Sequence, residues 1–126
     1  MSKVSILYID DDPLAHATLQ QMLGSYYHLH SCTEPNDALA QALRLQPSLI
    51  LLDVRMPHVG GAEVLELLKG LSGTRNIPVL AYSSEIDQDA LSDLITRGIR
   101  GFVDKTASED ELRDYVEYTL AHPAPL

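Results

Sequence analysis

Short apolar runs alternate along the chain with longer segments in which apolar residues recur every three or four positions. The runs are continuous, which is typical of parallel strands buried on both faces, and the longer segments have the spacing of amphipathic helices. The predicted strands cover about residues 4–9, 27–31, 48–52, 78–82 and 101–103. A helical segment follows each of them, so the pattern predicts a doubly wound α/β domain around a parallel sheet.

Residues with known preferences for helix ends mark several boundaries. Asp12 and Pro13 predict the N-cap and first residue of the first helix, and Pro35 is expected to open the second. Ser108 and Glu111 have the spacing of a capping box before the last helix. The apolar stripe of the fourth helix is predicted to comprise Ile86, Ala90, Leu91, Leu94 and Ile95.

Length and charge limit the classes of function. The 126-residue chain suits one domain, which we expect over residues 1–121, with 122–126 as a C-terminal tail or truncated linker. The formal net charge of -9 argues against direct binding to nucleic acid or to an anionic membrane. It favours metal cations and basic partner surfaces.

The N-terminus leads into the first strand without a signal peptide, and no apolar stretch is long enough to cross a membrane. The single cysteine, Cys32, cannot form an internal disulfide and is expected to pack as a small apolar residue at a strand end. These features predict a cytoplasmic protein.

Polar residues stand at the ends of four predicted strands: Asp10 and Asp11, then Asp53, Ser83 and Lys105. A parallel sheet places all of these ends at one edge. Carboxylates held that close repel one another, so such a cluster favours a bound cation such as Mg²⁺ or a nucleophilic carboxylate. With a lysine and a hydroxyl beside them, the carboxylates suit chemistry on a phosphoryl group.

Some of these residues admit a second interpretation. Asp12 is expected to act mainly as a helix cap. Ser84 takes the place of Ser83 if the strand register shifts by one residue. His28 and His30 could lie on one face of a strand as a metal pair, but no third ligand is apparent and solvent-facing histidines are favoured.

The chain resembles the receiver domains of two-component response regulators over nearly its full length. The motifs that carry the resemblance are Ile9-Asp10-Asp11-Asp12-Pro13, Leu51-Leu52-Asp53-Val54-Arg55-Met56-Pro57, Pro78-Val79-Leu80-Ala81-Tyr82-Ser83-Ser84 and Gly101-Phe102-Val103-Asp104-Lys105. The resemblance implies a flavodoxin-like (βα)5 fold, with a five-stranded sheet of order 2-1-3-4-5. Lys105 to Leu112 further resemble receivers of the LuxR/NarL type.

The resemblance also implies a magnesium site. By position, Asp11 is the direct Mg²⁺ ligand and Asp10 acts mainly through water. Asp53 and the backbone carbonyl of Arg55 complete the protein ligands.

The remaining roles implied by the resemblance concern the phosphoryl group. Asp53 is the phosphoacceptor, Lys105 neutralises a phosphoryl oxygen, Ser83 is the switch hydroxyl and Phe102 the switch aromatic. The donor is a phosphohistidine on a sensor histidine kinase or phosphotransfer protein. Phosphorylation moves Ser83 and Phe102 and reshapes the face built by the fourth helix, fifth strand and fifth helix, which also suits a homodimer. The protein is then a switch and not a turnover enzyme.

The sequence leaves two rival functions open. A Mg²⁺-dependent phosphatase of the haloacid dehalogenase type also uses an aspartate at a strand end, but after its first strand and in the pattern Asp-x-Asp-x-Thr. The first strand here is followed by Asp10-Asp11-Asp12-Pro13-Leu14, without a threonine. A degenerate receiver that only binds partners is the second rival, and the complete set Asp11, Asp53, Ser83 and Lys105 argues against it.

The sequence departs from the common receiver pattern in three places. Thr106 stands where many receivers have a cis-proline, and since a cis bond before a non-proline is costly, a trans bond or a differently shaped loop is expected. Gly60-Gly61 replaces the common Asp-Gly and should loosen the loop after the third strand. We also predict that Arg55 and Glu85, at the rim of the pocket, form a pair that shields the phosphoryl group from water.

Overall fold

The structure is a computed structural model that describes residues 3–56 and 60–123. Its strands are β1 (Ser5–Ile9), β2 (His28–Cys32), β3 (Leu49–Leu52), β4 (Val79–Ser83) and β5 (Gly101–Asp104). Its helices are α1 (Pro13–Leu23), α2 (Ala38–Leu45), α3 (Gly61–Gly70), α4 (Gln88–Thr96) and α5 (Glu109–Ala121). The expected strand and helix alternation is confirmed.

All five strands are parallel and lie in the order β2-β1-β3-β4-β5, as expected. Strand β1 lies second from one edge; from it the chain moves outward to the edge strand β2 and then crosses to β3 on the other side of β1. The order therefore reverses between β1 and β3, and crevices in such sheets open beyond the carboxyl ends of the strands at this point. Ile9 pairs with Leu52 at the ends of these two strands, so the residues that follow them lie side by side.

The core consists of two layers, one on each face of the sheet. Alternate residues of β1 serve the two layers: Leu7 and Ile9 pack with α2, α3 and α4, while Ile6 and Tyr8 pack with α1 and α5. Every residue of β3 and β4 is buried. Because both faces are covered, these strands contain no solvent-facing position, which explains their unbroken apolar runs.

Capping residues begin the helices largely as predicted. Asp12 accepts the N–H of Leu14 at the start of α1, and Pro13 is the first helical residue. The Ser108 Oγ accepts the N–H of Glu111, as in a capping box. The Glu111 carboxylate, however, accepts a hydrogen bond from the Ser108 hydroxyl and not from the Ser108 backbone N–H. Pro35 opens a 3-10 turn over Pro35–Asp37, and the α-helix itself begins only at Ala38.

The predicted stripe of α4 was too wide. Leu94 is buried and Ile86, just before the helix, packs against the core, but Ala90 is exposed and Ile95 is 56% exposed. Helix α4 connects β4 to the edge strand β5, so it lies near the edge of the sheet and only a narrow side of the helix packs against the core. Periodicity shows which residues share a face, and it does not show how much of that face meets a neighbour.

Several smaller expectations are settled by the backbone. Strand β4 runs one residue later than predicted and ends at Ser83 itself. No cis peptide bond occurs in the described ranges, so of the two alternatives the bond before Thr106 is trans. The Thr106 N–H and hydroxyl both donate to Asp104 Oδ1, which shapes this loop without proline.

Two expectations concern segments that are described only in part. In the loop that Gly60-Gly61 was predicted to loosen, residues 57–59 lie outside the described residues. Of the predicted tail, residues 124–126 lie outside them. Within 3–56 and 60–123, no helix is long and apolar enough to span a bilayer.

Candidate functional site

The ends of β1 and β3 place three carboxylates at one edge of the sheet. Asp10 and Asp53 directly follow paired strand residues, and the Asp53 N–H donates to the Ile9 carbonyl at 2.9 Å. Asp10 is fully buried and Asp53 is 6% exposed. Oxygens of Asp10, Asp11 and Asp53 lie within 4.8 Å of one another. Among the described residues, this is the only cluster of acidic, histidine or cysteine side chains with the geometry to hold a metal ion.

Asp10 is held by donors on both carboxylate oxygens. Its Oδ2 accepts the Tyr8 hydroxyl at 2.5 Å and the Lys105 ammonium at 2.7 Å, and its Oδ1 accepts the Asp12 N–H. Burial alone raises the pKa of Asp10, but the hydrogen bonds from Lys105, Tyr8 and Asp12 outweigh it and hold the pKa below its usual value. This carboxylate is therefore kept ionised inside the protein.

Lys105 joins the two buried aspartates. It follows β5, and its backbone N–H donates to the Ser83 carbonyl, which fixes its stem beside β4. Its Nζ lies 2.7 Å from Asp10 Oδ2 and 3.4 Å from Asp53 Oδ2. Burial lowers the pKa of Lys105, yet the hydrogen bond and charge of Asp10, with those of Asp53, raise it above its usual value overall. One ammonium thus partly neutralises a cluster that carries more negative charge than positive.

The two oxygens of Asp53 have different surroundings. Oδ1 accepts the Ser83 hydroxyl at 2.5 Å and the Arg55 N–H at 3.0 Å. Within the described residues, Oδ2 has only the longer contact with Lys105. The Ser83 Oγ also accepts the Val54 N–H at 2.8 Å, so this hydroxyl ties the end of β4 to the residue after the acceptor. Ser83, and not the exposed Ser84, is the hydroxyl at the cluster.

Arg55 and Glu85 form the expected pair at the rim. The Arg55 Nη1 lies 3.6 Å from Glu85 Oε2 and donates to the carbonyls of Ser84 and Glu85. Both side chains are mostly exposed, at 56% and 88%. An exposed pair at this distance contributes little to folding stability, so its effect on the site has to be one of position and charge.

Phe102 lies in β5 opposite Ala81 and is half-buried against the core layer of α2, α3 and α4. Its role as the switch aromatic is not tested by this packing and stays a prediction.

Sequence reasoning missed two residues that support Asp10. The Tyr8 hydroxyl donates to its carboxylate, and burial together with the Asp10 hydrogen bond and charge raises the pKa of Tyr8. The His16 Nε2 donates to the Asp10 carbonyl at 2.7 Å, and its ring packs 4.5 Å from that of Tyr8. One signal was available, because Tyr8 and Asp10 are two residues apart and so share a face of the strand. The contact of His16 had no signal in the sequence.

Two other features noted in the sequence, the histidine pair of β2 and the single cysteine, take no part in the carboxylate cluster. The rings of His28 and His30 stack at 4.5 Å on the edge strand β2, and His28 is exposed. Cys32 is buried at the end of β2, and its thiol donates to the Glu34 carbonyl. Cys32 thus packs at a strand end as expected.

Residues 6–117 match the model of the response regulator receiver domain. The chain belongs to this family. Receiver domains are phosphoryl-accepting switches of two-component signalling, which confirms the fold and family that the strand-end motifs indicated.

Curated relatives carry this domain inside longer proteins. A hybrid signal transduction histidine kinase D of Dictyostelium discoideum is 26% identical over 111 residues, which cover 88% of this chain and 7% of that protein. The receiver spans a similarly small part, 12%, of a BarA histidine kinase from Shigella flexneri, at 26% identity over 88% of this chain. The chain thus corresponds to a small part of these relatives.

Solved structures show the same fold. The chemotaxis protein CheY4 of Vibrio cholerae superposes with a TM-score of 0.86 at 20% identity, covering 93% of this chain and 98% of that one. The receiver domain of a sensor histidine kinase from Pseudomonas aeruginosa gives a TM-score of 0.86 at 21% identity, covering 95% and 99%. That structure contains a magnesium ion coordinated in its active-site cleft.

Proposed function

We propose that the protein accepts a phosphoryl group on Asp53, in the presence of Mg²⁺, from a phosphohistidine of a histidine kinase or phosphotransfer protein. The observation that carries this proposal is the asymmetry of the Asp53 carboxylate. Oδ1 is held by Ser83 and the Arg55 N–H, while the Lys105 ammonium is the only partner of Oδ2 among the described residues. A buried, oriented carboxylate with one uncommitted oxygen beside a cation is suited to attack phosphorus.

The donor set fits Mg²⁺. Hard divalent cations prefer carboxylate and carbonyl oxygens, and Mg²⁺ usually takes one or two carboxylates and keeps several waters. Asp11 and Asp53 would bind it directly, the Arg55 carbonyl would complete the protein ligands, and Asp10 would act mainly through water. Both Asp10 oxygens already accept protein hydrogen bonds, which supports this indirect role. Bound Mg²⁺ supplies positive charge that offsets the repulsion among the carboxylates and the incoming phosphoryl group.

In the transfer step, Asp53 Oδ2 forms the new P–O bond as the P–N bond of the donor phosphohistidine breaks. The bonding electron pair leaves with the imidazole nitrogen, so no other co-reactant is needed. Lys105, 3.4 Å from Oδ2, is placed to attract a phosphoryl oxygen. Buried cations and donors that are already in place contribute much more to such a step than they would in water.

The product is a switch because charge and hydrogen bonding change around Ser83. Its hydroxyl is already bonded to the Asp53 carboxylate at 2.5 Å. It would therefore exchange this acceptor for a phosphoryl oxygen and need not approach from a distance, which modifies the movement expected from the sequence. Ser83 ends β4, and its carbonyl accepts the Lys105 N–H, so a shift at Ser83 is transmitted to β5, where Phe102 lies.

We propose the face of α4, β5 and α5 as the surface that responds and that pairs two copies or binds a partner. It presents large apolar side chains to solvent, with Ile95 56%, Tyr115 50% and Tyr118 62% exposed. Each phosphoryl group is gained and lost once per signalling cycle, so the domain acts as a switch and not as a turnover enzyme.

The rivals have less support. Membership of the receiver family argues against a haloacid dehalogenase-type phosphatase, as does the acceptor's position after the third strand and not the first. A degenerate module would not need Asp10, Asp11 and Asp53 clustered with Ser83 and Lys105 bonded to them.

The decisive experiment is intact-protein mass spectrometry after incubation with Mg²⁺ and acetyl phosphate or phosphoramidate. We expect one phosphoryl adduct in the wild type and none in Asp53→Asn. The matched control is Asp12→Asn, which removes the same charge from a helix cap next to the cluster and should keep the adduct. Absence of any adduct and of Mg²⁺ binding would indicate the degenerate module, and turnover of phosphate esters would indicate the phosphatase.

A further inference from the structure

A cavity of about 350 Å³ opens at the opposite edge of the sheet, before the amino ends of β4 and β5. It lies between the end of α3, the segment leading to β4 and the connection from α4 to β5. The side chains that define it are Lys69, Arg75, Asn76, Pro78, Arg97 and Arg100. None of the acidic residues of the phosphoacceptor site takes part.

The cavity concentrates positive charge in an acidic protein. It contains four of the chain's nine Lys and Arg residues, although the net charge is -9. No carboxylate side chain of the described residues lines it.

Most of these cations are not neutralised by acidic partners. In the part of the chain that the structure describes, only Arg97 has acidic partners, Glu66 and Asp93, each at 2.8 Å. The Lys69 ammonium donates to the carbonyls of Arg75 and Ile77.

Arg100 likewise donates to carbonyls, those of His122 and Pro123. For the Arg75 guanidinium, the described part of the chain provides neither a hydrogen bond nor an ion pair. Burial and the nearby Arg100 charge lower the pKa of Lys69, as expected where like charges meet without a counter-ion. Carbonyl oxygens orient these groups but do not remove their charge.

We propose that this cavity binds a small phosphate-bearing anion, at a site independent of the phosphoacceptor. Guanidinium groups match phosphate oxygens with paired N–H donors, and Lys69 adds a point charge. The volume falls in the range of small-molecule sites. Gly98 contributes room, because a Cβ there would come 3.3 Å from Lys69 Cγ. This function goes beyond signalling through Asp53 and does not depend on it.

The test is a titration of the isotopically labelled protein with inorganic pyrophosphate and, separately, 5′-AMP, followed by backbone amide shifts. EDTA and low salt are used, so that no metal can draw phosphate to the carboxylates. We expect saturable shifts at Arg75, Asn76 and Gly98, and none at Val54. Saturation by pyrophosphate alone would indicate an inorganic ligand, and tighter binding of AMP would indicate an organic phosphate.

Substitutions make the test specific. Arg75→Gln and Arg100→Gln should each weaken binding about tenfold, the usual loss with one charge-assisted hydrogen bond. Arg44→Gln, an exposed position on α2, removes the same charge elsewhere and should leave binding unchanged. The amide spectrum away from the cavity checks that each variant is folded. Shifts that do not saturate with either probe, or an equal loss in Arg44→Gln, would overturn the proposal.

Discussion

The two edges of the sheet carry opposite charge and hold it in different ways. At the carboxyl edge, Asp10 and Asp53 come directly from strand ends and are buried in contact with Lys105. At the amino edge, Lys69 and Arg100 come from helix ends and connections and donate to backbone carbonyls. The first arrangement fixes charges of both signs within a rigid frame. The second orients charges of one sign and leaves them for a ligand to neutralise.

The difference has a topological origin. In a parallel sheet, residues beyond neighbouring strand ends are brought together by the ladder itself, so side chains there have little freedom. Residues before the strands sit in segments whose positions depend on how each helix ends. We therefore expect substitutions at the carboxyl edge to change chemistry strongly, and substitutions at the amino edge to change stability or ligand binding while leaving phosphoryl transfer intact.

The largest effect is expected for Lys105→Met. It removes the cation shared by Asp10 and Asp53 and the charge that faces the incoming phosphoryl group. Acceptance of phosphate from acetyl phosphate should slow by about 100-fold, the usual effect of losing one preorganised electrostatic partner. The time course of intact mass measures this, and Arg75→Gln at the other edge is the control that should keep the wild-type rate. Equal rates in all three proteins would end the proposed distinction between the edges.

At the amino edge, the largest stability change is expected for Gly98→Ala. Gly98 has a φ of 111°, which L-residues rarely adopt, and the added Cβ crowds the Lys69 chain. The free energy of unfolding should fall by about 1–3 kcal/mol with no change in the phosphorylation rate of the folded protein. Gly70→Ala is the matched control, because nothing lies within 4 Å of a Cβ there, and its effect should be neutral or stabilising. Urea unfolding measures both.

Tyr8→Phe tests whether the hydrogen bond from the Tyr8 hydroxyl to Asp10 also stabilises the carboxyl edge. Asp10 Oδ2 loses one of its two donors, so the free energy of unfolding should fall by about 2 kcal/mol. The freed oxygen should also raise the affinity for Mg²⁺ measured by calorimetry. Tyr82→Phe, on the same face of the sheet, is the control and should not change Mg²⁺ binding. A loss of stability without any change in Mg²⁺ affinity would mean that Tyr8 stabilises the fold but does not influence the metal site.

Acid should reveal the ionised Asp10. Its folded-state pKa is lowered, so its contribution to stability is complete above the unfolded-state value of about 3.9 and is lost as pH falls through the lower folded value. Unfolding by urea across this range should show the wild type losing its advantage over Asp10→Asn. Asp89→Asn, an exposed change on α4, serves as the comparison and should follow the wild type. If the wild type stays more stable than Asp10→Asn at the lowest pH, the ionised Asp10 and its hydrogen bonds with Tyr8, Asp12 and Lys105 are not the source of that stability.

The smallest effect concerns the rim. Arg55→Ala should change the free energy of unfolding by no more than about 0.5 kcal/mol, because the pair with Glu85 is exposed. The phosphorylated form should nevertheless lose its phosphoryl group several-fold faster, since water gains access. Glu85→Gln is the control: it removes the charge of the ion pair but keeps a side chain of the same size and the Arg55 contacts with backbone carbonyls. It therefore distinguishes an effect of the charge from an effect of the side chain's volume. An unchanged dephosphorylation rate in Arg55→Ala would refute the shielding role.

Much of the fold and site could be predicted from the chain alone, because the relevant signals are local. Continuous apolar runs marked both-face burial, and the Asp12-Pro13 pair marked the start of α1. The strand-end positions of Asp53 and Lys105 followed from the same pattern. The exposure of Ile95 could not be foreseen, because it depends on where the sheet ends beneath α4 and not on the spacing within the helix.

The sequence by itself determined which residues reach the carboxyl edge, since strand ends in a parallel sheet share it. Only the tertiary structure decided their partners. The contact between Lys105 and Asp10 joins residues 95 positions apart, and the choice of Ser83 over Ser84 depends on a one-residue register in β4. The cations at the amino edge likewise belong to separate helices and connections. Local patterns specify the face of an element on which a side chain lies, whereas the atoms opposite it are specified by packing of the whole chain.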